Sequence, residues 1–185
     1  MRVPHTEYKG WVMGQKEGTR EAFEWLVTEM EFERVVELGT GRGGLTLALS
    51  ELAEVHSFDA RMDRVPEELK KLIEEEGGRL YEESVLIENH NVSWLVGMTG
   101  RVLLLCDNGD KITEFNSYAK RLKKGDFIGV HDYFPSREGY NRSSGIWNCC
   151  EVVHKHIAKA CHDYDLVSFW PQKFNPLAWE IRVKA

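Results

Sequence analysis

A glycine-rich segment follows the first apolar run of the sequence, and its spacing is typical of a ligand-binding turn. Residues 35–44 read Val-Val-Glu-Leu-Gly-Thr-Gly-Arg-Gly-Gly, and a helical pattern of leucines begins directly after them. A strand, a glycine-rich turn and a helix together present backbone N–H groups to a nucleotide. Glycines in the turn permit positive φ and remove Cβ atoms that would keep the ligand away. We therefore expect Gly39, Gly41 and Gly43 to contact a nucleotide-derived ligand.

Two acidic residues near this turn indicate which nucleotide it takes. Gly39, Gly41 and Gly44 satisfy the dinucleotide fingerprint, and Asp59 lies about twenty residues further on, where a ribose-binding acid is expected. Glu37 ends the strand, where it would repel a pyrophosphate and attract an ammonium or a sulfonium group. Glu37 therefore favours S-adenosylmethionine over NAD, and an NAD-dependent oxidoreductase remains the alternative.

Acidic residues and a histidine also follow two later strands. Asp107 follows a continuous apolar run that is typical of a buried parallel strand, and His131 and Asp132 follow the next strand. Ligands of such sheets bind beyond the carboxyl ends of the strands, so these side chains are expected to lie together. With His131 or Asn108 as a further ligand, the two carboxylates suit Mg²⁺ or a similar divalent cation, which would acidify a substrate hydroxyl.

Strands alternate with helices along the chain, which predicts an α/β fold with a doubly wound, mostly parallel sheet. Residues 1–16 are interpreted as an irregular lead-in and residues 133–148 as a loop over the strand ends, a candidate substrate lid. The length of 185 residues suits a single domain over 1–185. Trp170 and Trp179 are expected in the core. Strands are predicted at 34–38, 54–59, within 79–87, and at 101–106, 127–130, 166–170 and 178–183, and helices at 17–30, 65–76, 112–122 and 149–162.

Composition narrows the classes of partner and compartment. The net charge of −6 gives no basic field for nucleic acid. No stretch has the length of a membrane span, and we expect no membrane partner. The four cysteines lack the spacing of a metal or redox motif, which favours reduced thiols in a cytoplasmic protein. The oligomeric state stays open, a homo-oligomer included.

Three segments of the sequence resemble one known family. Cys106–Phe115 and Leu122–Tyr133, together with the turn at 39–44, are similar to the cephalosporin hydroxylase/macrocin O-methyltransferase group of class I S-adenosylmethionine-dependent methyltransferases. The resemblance spans residues 17–133. It implies a Rossmann-like seven-stranded sheet whose last strand is antiparallel. It also implies methyl transfer to a hydroxyl of a small, sugar-like or polyhydroxylated acceptor, and a cofactor-binding module without catalysis is the other alternative.

The resemblance assigns roles to the residues already singled out. It implies cofactor contacts around the turn, the ribose on Asp59, and the metal on Asp107 and Asp132, with Asp107 also near the cofactor. His131 stands where the family has an acid. A catalytic base is expected shortly after Asp107, where Asp110 is favoured slightly over Lys111 and His131. The implied contacts around the turn are Glu37, Gly39, Thr40, Gly41 and Gly43.

Overall fold

Uninterrupted apolar runs of the sequence form the buried strands of a central sheet. The structure, a computed structural model, describes residues 6–85, 89–142 and 152–185. The strands are β1 Glu7–Tyr8, β2 Trp11–Val12, β3 Arg34–Leu38, β4 Glu54–Asp59, β5 Arg79–Glu82, β6 Val102–Cys106, β7 Phe127–Val130, β8 Tyr133–Phe134, β9 Val152–Val153, β10 Leu166–Ser168 and β11 Glu180–Lys184. The α-helices are α1 Thr19–Met30, α2 Gly44–Ser50, α3 Glu67–Glu75, α4 His90–Gly97, α5 Lys111–Tyr118, α6 Arg137–Arg142, α7 His154–Asp163 and α8 Pro171–Phe174.

The order of the strands creates one point where ligands are expected to bind. Within the described residues a seven-stranded sheet has the order β10-β11-β7-β6-β3-β4-β5. β3 is parallel to both β4 and β6, and β11 is antiparallel to β7 and β10. The chain first winds from β3 towards β5 and then returns to β6 on the other side of β3. The resulting switch point lies between the carboxyl ends of β3 and β6. The predicted mixed sheet with its antiparallel last strand is confirmed.

Helices cover both faces of the sheet because side chains alternate between the two faces of each strand. On one face, α1 and α2 pack with α8 against residues such as Val35, Leu103 and Leu105. On the other, α4, α5 and α7 pack against Val36 and Leu104. β3 and β6 are buried along their whole lengths, so their carboxyl ends are held rigidly by packing on both sides.

The lead-in, predicted to be irregular, contains a hairpin of β1 and β2. Its two-residue turn, Lys9 and Gly10, has positive φ at both positions, as a tight hairpin turn requires. The strands are too short to show a hydrophobic period, which is why the pattern did not reveal them. The hairpin packs closely on α2, where a Cβ on Gly44 would lie 2.5 Å from the carbonyl oxygen of Val12.

Other differences lie towards the C-terminal end. Trp179 is fully buried as expected, but the prediction for Trp170 is wrong, because β10 ends at Ser168 and the Trp170 side chain is 42% exposed. In the candidate lid the structure has β8 and α6, and residues 143–148 lie outside the described residues, as do 149–151 of the predicted helix at 149–162. Among the described residues no helix is both long and apolar enough to cross a membrane.

Candidate active site

The glycine-rich turn is held against the neighbouring strands by its backbone. Gly39 donates a hydrogen bond to the carbonyl oxygen of Phe58 at 2.7 Å, and a Cβ at this position would lie only 2.4 Å from the carbonyl oxygen of Asp107. A Cβ on Gly43 would contact the side chain of Leu69 at 2.9 Å, so this glycine permits packing of α3. Gly41 differs from both, because it has φ of +57° and a Cβ there would meet no atom within 4 Å. The open face of the turn is therefore at Gly41.

Glu37 is a buried carboxylate near the end of β3, two residues before this turn. Its side chain points to the face of the sheet that α2 covers and is 2% exposed. The hydroxyl groups of Thr46 and Ser57 donate to its Oε2 at 2.6 and 2.5 Å, and Oε1 accepts no hydrogen bond from the described residues. Burial raises the pKa of Glu37 to about 7, although the two hydroxyls oppose this shift. Burial thus destabilises the ionised form of Glu37, and a cationic ligand nearby would stabilise it.

Asp59 supports the turn from the end of β4. Its two oxygens accept backbone hydrogen bonds, one from Gly41 at 3.0 Å and one from Arg61 at 2.9 Å. Thr40 is buried behind the turn, where its hydroxyl is 2.7 Å from that of Ser57. Asp59 therefore fixes the conformation at Gly41, and a carboxylate oxygen with a second lone pair remains able to accept from a ribose hydroxyl.

Asp107 and His131 form a hydrogen-bonded pair at the ends of β6 and β7. His131 Nδ1 donates to Asp107 Oδ1 at 2.7 Å, which turns Nε2 away from Asp107. Gln15 Nε2 donates to the other oxygen, Oδ2, also at 2.7 Å, and Gln15 Oε1 accepts from Trp179 Nε1 at 3.0 Å. The indole ring of Trp179 stacks on the imidazole with a centroid distance of 4.8 Å. The orientation of the imidazole is therefore fixed by contacts on two sides.

The ammonium group of Lys111 lies between the two carboxylates of the site. Its Nζ is 3.2 Å from Asp132 Oδ2 and 3.8 Å from Asp107 Oδ1, and it donates to the carbonyl oxygen of Asn108 at 3.0 Å. The Lys111 side chain is only 10% exposed. Burial alone would lower the pKa of Lys111, but Asp107 and Asp132 outweigh it and raise the pKa.

His131 and Asp132 are adjacent, yet both side chains reach the same site. In a strand they would point to opposite faces. β7, however, ends at Val130, and Asp132 adopts a left-handed conformation with φ of +52°. Suitable atoms of Asp107, His131 and Asp132 consequently lie within 4.8 Å of one another, as the sequence predicted. A non-glycine residue at positive φ is strained, and such strain concentrates at functional sites.

Side chains of residues 108–114 hydrogen-bond to the backbone of the same segment, and the Asp110 carboxylate is one of them. Asp110 caps α5, since its carboxylate accepts from the backbone N–H and the hydroxyl of Thr113 at 3.1 and 2.7 Å. Glu114 accepts from the backbone of Asn108 and Asp110, and burial raises its pKa to about 7. The Asp110 carboxylate is thus engaged in capping, whereas Nε2 of His131 makes no hydrogen bond to the described residues.

The charges around Asp107 and His131 shift the pKa of both side chains. Burial alone would lower the pKa of His131, but the carboxylates of Asp107 and Asp132 outweigh it and raise the pKa. Burial opposes ionisation of Asp107, yet His131 and Lys111 hold its pKa below the usual value. Sequence reasoning missed Gln15 as part of this network, because its partners lie 92 and 164 residues away along the chain.

Comparison with solved structures places this arrangement in a known fold. A structure of CmcI with Mg-SAM matches with a TM-score of 0.68 and 14% identity over 97% of this chain and 77% of that chain. A putative caffeoyl-CoA O-methyltransferase from Staphylococcus aureus matches with a TM-score of 0.67 and 14% identity, over 92% of this chain and 84% of the other.

A third match is geranyl diphosphate C-methyltransferase from Streptomyces coelicolor A3(2), in complex with Mg²⁺, geranyl diphosphate and S-adenosyl-L-homocysteine. Its TM-score is 0.56 and its identity 12%, over 90% of this chain and 79% of that chain. No protein-family model and no curated protein matches the sequence. The structural matches confirm the fold that the sequence resemblance implied. The chain has the fold of the class I S-adenosylmethionine-dependent methyltransferases.

Proposed function

We propose that this protein is an S-adenosylmethionine-dependent methyltransferase that acts on a hydroxyl group of a small acceptor. The observation that carries the proposal is the Glu37 carboxylate, which is buried near the end of β3, two residues before the glycine-rich turn. A pyrophosphate would meet a negative charge at this place, whereas the ammonium group of S-adenosylmethionine would neutralise it. The fold supports the same cofactor, since structural neighbours with that fold are complexes with S-adenosylmethionine or S-adenosylhomocysteine.

The cofactor residues have distinct tasks in this proposal. Gly41 lets the ligand approach the backbone, and Asp59 fixes the turn and accepts from the ribose hydroxyls. Gly39 and Gly43 act through packing, because β6 and α3 fill the positions next to their Cα atoms. Glu37 supplies the charge for the amino acid part of the cofactor.

His131 takes the proton of the acceptor hydroxyl in the proposed reaction. Nε2 accepts the proton while Asp107 holds Nδ1–H and stabilises the imidazolium that forms. The acceptor oxygen then attacks the methyl carbon, and the electron pair of the broken carbon–sulfur bond returns to sulfur. S-adenosylhomocysteine leaves as a neutral thioether. Positioning of the two reactants supplies most of the rate enhancement.

The sequence predicted a divalent cation at this site, but its expected ligands already make other contacts. Asp107 already accepts hydrogen bonds on both oxygens, and the Lys111 ammonium lies 3.2 Å from Asp132. The donor set therefore does not fit a divalent ion as it stands, and the proposed proton transfer runs through the Asp107–His131 pair alone.

Transfer of a labelled methyl group tests the proposal. Wild-type protein is incubated with methyl-labelled S-adenosylmethionine and a panel of sugars, polyols and phenols. We expect label in at least one hydroxylated acceptor, with kcat lower by about 10²–10⁴-fold in His131→Gln. Affinity for S-adenosylhomocysteine should be retained in that variant, which separates the base from the cofactor site.

Three results would contradict the proposal in different ways. Equal turnover by His131→Gln would assign the proton transfer to another group. Binding of the cofactor without transfer to any acceptor of the panel would favour a cofactor-binding module without catalysis. Turnover of an alcohol with NAD would favour the oxidoreductase that the glycine spacing permits.

A further inference from the structure

The charge arrangement around Lys111 resembles the environment of a bound cation. Three oxygen atoms face its Nζ, from the side chains of Asp132 and Asp107 and from the backbone of Asn108. Two carboxylates so close together repel each other unless positive charge lies between them. The lysine supplies that charge from within the chain.

The local structure holds Lys111 in this position. Lys111 is the first residue of α5, and helical side chains tilt towards the N-terminal end of their helix. This tilt directs the Lys111 side chain back over the turn 107–110, where the cap of Asp110 and the hydrogen bonds to Glu114 fix the backbone. The side chain is buried along most of its length. Its withdrawal into solvent would remove the ammonium charge from both carboxylates and leave Asp107 paired with His131.

A divalent ion would compete for the same space. Mg²⁺ binds carboxylate oxygens at about 2.0–2.1 Å, and an ion shared by Asp107 and Asp132 would lie close to the present position of Nζ. The histidine nitrogen nearest to the carboxylates, Nδ1, carries the hydrogen donated to Asp107 and has no free lone pair for the ion.

We propose that the Lys111 ammonium group is the resident cation of the Asp107–Asp132 pair and keeps divalent metal ions out of this site. The pair then holds a metal ion only when Lys111 is removed. Exclusion of the metal does not depend on the proposed function.

Binding of Mn²⁺ to the metal-free protein tests the proposal without any acceptor. Mn²⁺ is titrated into wild type, Lys111→Met and the double variant Lys111→Met/Asp132→Asn, with calorimetry and the electron paramagnetic resonance signal of free Mn²⁺ as readouts. Methionine keeps the length of the side chain and removes the charge. We expect Lys111→Met to bind Mn²⁺ at least about tenfold more tightly than wild type, because the repulsion between two cations is removed. The double variant should lose this gain.

Binding of Mn²⁺ at this site in the presence of Lys111 would overturn the proposal. Saturable Mn²⁺ binding by wild type that Asp132→Asn abolishes would show that the site accepts metal with Lys111 present. A folded Lys111→Met variant with no gain in affinity would also contradict it, and circular dichroism checks the fold. Neither result depends on catalysis, so this proposal and the proposed function fail separately.

Discussion

At the scale of single residues, Glu37 is a buried carboxylate whose pKa is raised by folding. The unfolded chain releases the Glu37 proton near pH 4.5, and the folded chain releases it near pH 7. Between these values the folded state binds more protons than the unfolded state at Glu37. The contribution of Glu37 to stability is therefore fully present below pH 4.5 and is lost as the pH rises through 7. The penalty that ionisation imposes on the fold is available for a cationic ligand to relieve.

Glu37→Gln should therefore raise stability and lower cofactor affinity at the same time. At pH 8 we expect a gain of up to about 3 kcal/mol in the free energy of unfolding, because glutamine mimics the protonated form. Affinity for S-adenosylhomocysteine should fall by about 1.5–3 kcal/mol with the loss of a charged hydrogen-bond partner. Urea unfolding at pH 5 and pH 8 and calorimetric titration measure the two effects. A stability gain with unchanged affinity would make Glu37 a structural residue only.

Asp59 is expected to matter for both the fold and the ligand. Its carboxylate accepts from two backbone N–H groups, so it stabilises the turn in addition to its proposed role at the ribose. We predict that Asp59→Ala lowers stability by about 1–3 kcal/mol and weakens cofactor binding by a similar amount. Asp59→Asn keeps one acceptor oxygen and should lie between wild type and Asp59→Ala in both measurements. If Asp59→Ala binds the cofactor with wild-type affinity, the ribose does not contact this residue.

Single residues also show where prediction from sequence stops. Glu37, Asp59 and Asp107 were recognisable because each ends a strand. Gln15 was not, because nothing local distinguishes a glutamine in a polar segment from one that binds Asp107 across the fold. The proposal of His131 rather than Asp110 as base likewise depended on a contact that the sequence does not show, the capping of α5 by the Asp110 carboxylate.

At the scale of elements, the turn between β3 and α2 combines strain with an open surface. Gly41 and Gly77 both have positive φ, of +57° and +89°, and a Cβ would meet no atom within 4 Å at either position. They differ in place, since Gly77 follows α3, away from the switch point. The two glycines therefore form a matched pair for separating backbone strain from ligand contact.

Gly41→Ala and Gly77→Ala should have similar effects on folding and different effects on binding. Each variant is expected to lose about 1–2 kcal/mol of stability to the left-handed backbone. Only the Gly41→Ala methyl group would enter the ligand's path and weaken binding of S-adenosylhomocysteine. Thermal unfolding and calorimetric titration of both variants check this prediction. Equal, small affinity losses in the two variants would move the ligand away from the turn.

Strands and helices long enough to show an apolar run or a hydrophobic period were predictable from the sequence. The two-residue strands were not. β3 and β4 appear with the predicted bounds because an uninterrupted run and a clear alternation define them. β1, β2, β8 and β9 have two residues each, too few for any period to show. β1 and β2 pair with each other across a two-residue turn, whereas β8 pairs with β9 from a later part of the chain.

At the scale of the whole molecule, the winding of the sheet places residues from four strands at one edge. Glu37 and Asp59 lie near the ends of β3 and β4, and Asp107 and His131 directly follow β6 and β7. The parallel directions of these strands bring their carboxyl ends together. The sequence predicted this convergence because parallel topology follows from the alternation of strands and helices. The internal cation was not predictable, because a lysine at the start of a helix gives no sign of where its ammonium group lies.

Binding of S-adenosylhomocysteine in comparison with NADH tests the central claim most directly. Calorimetric titration of wild type should give saturable binding of one S-adenosylhomocysteine per chain and no detectable binding of NADH. At a ligand concentration of about 100 Kd the linked stabilisation is about 2.7 kcal/mol, which raises Tm by about 5–10 °C for a chain of this size. Binding of NADH, or a folded protein that binds neither ligand, would contradict the account.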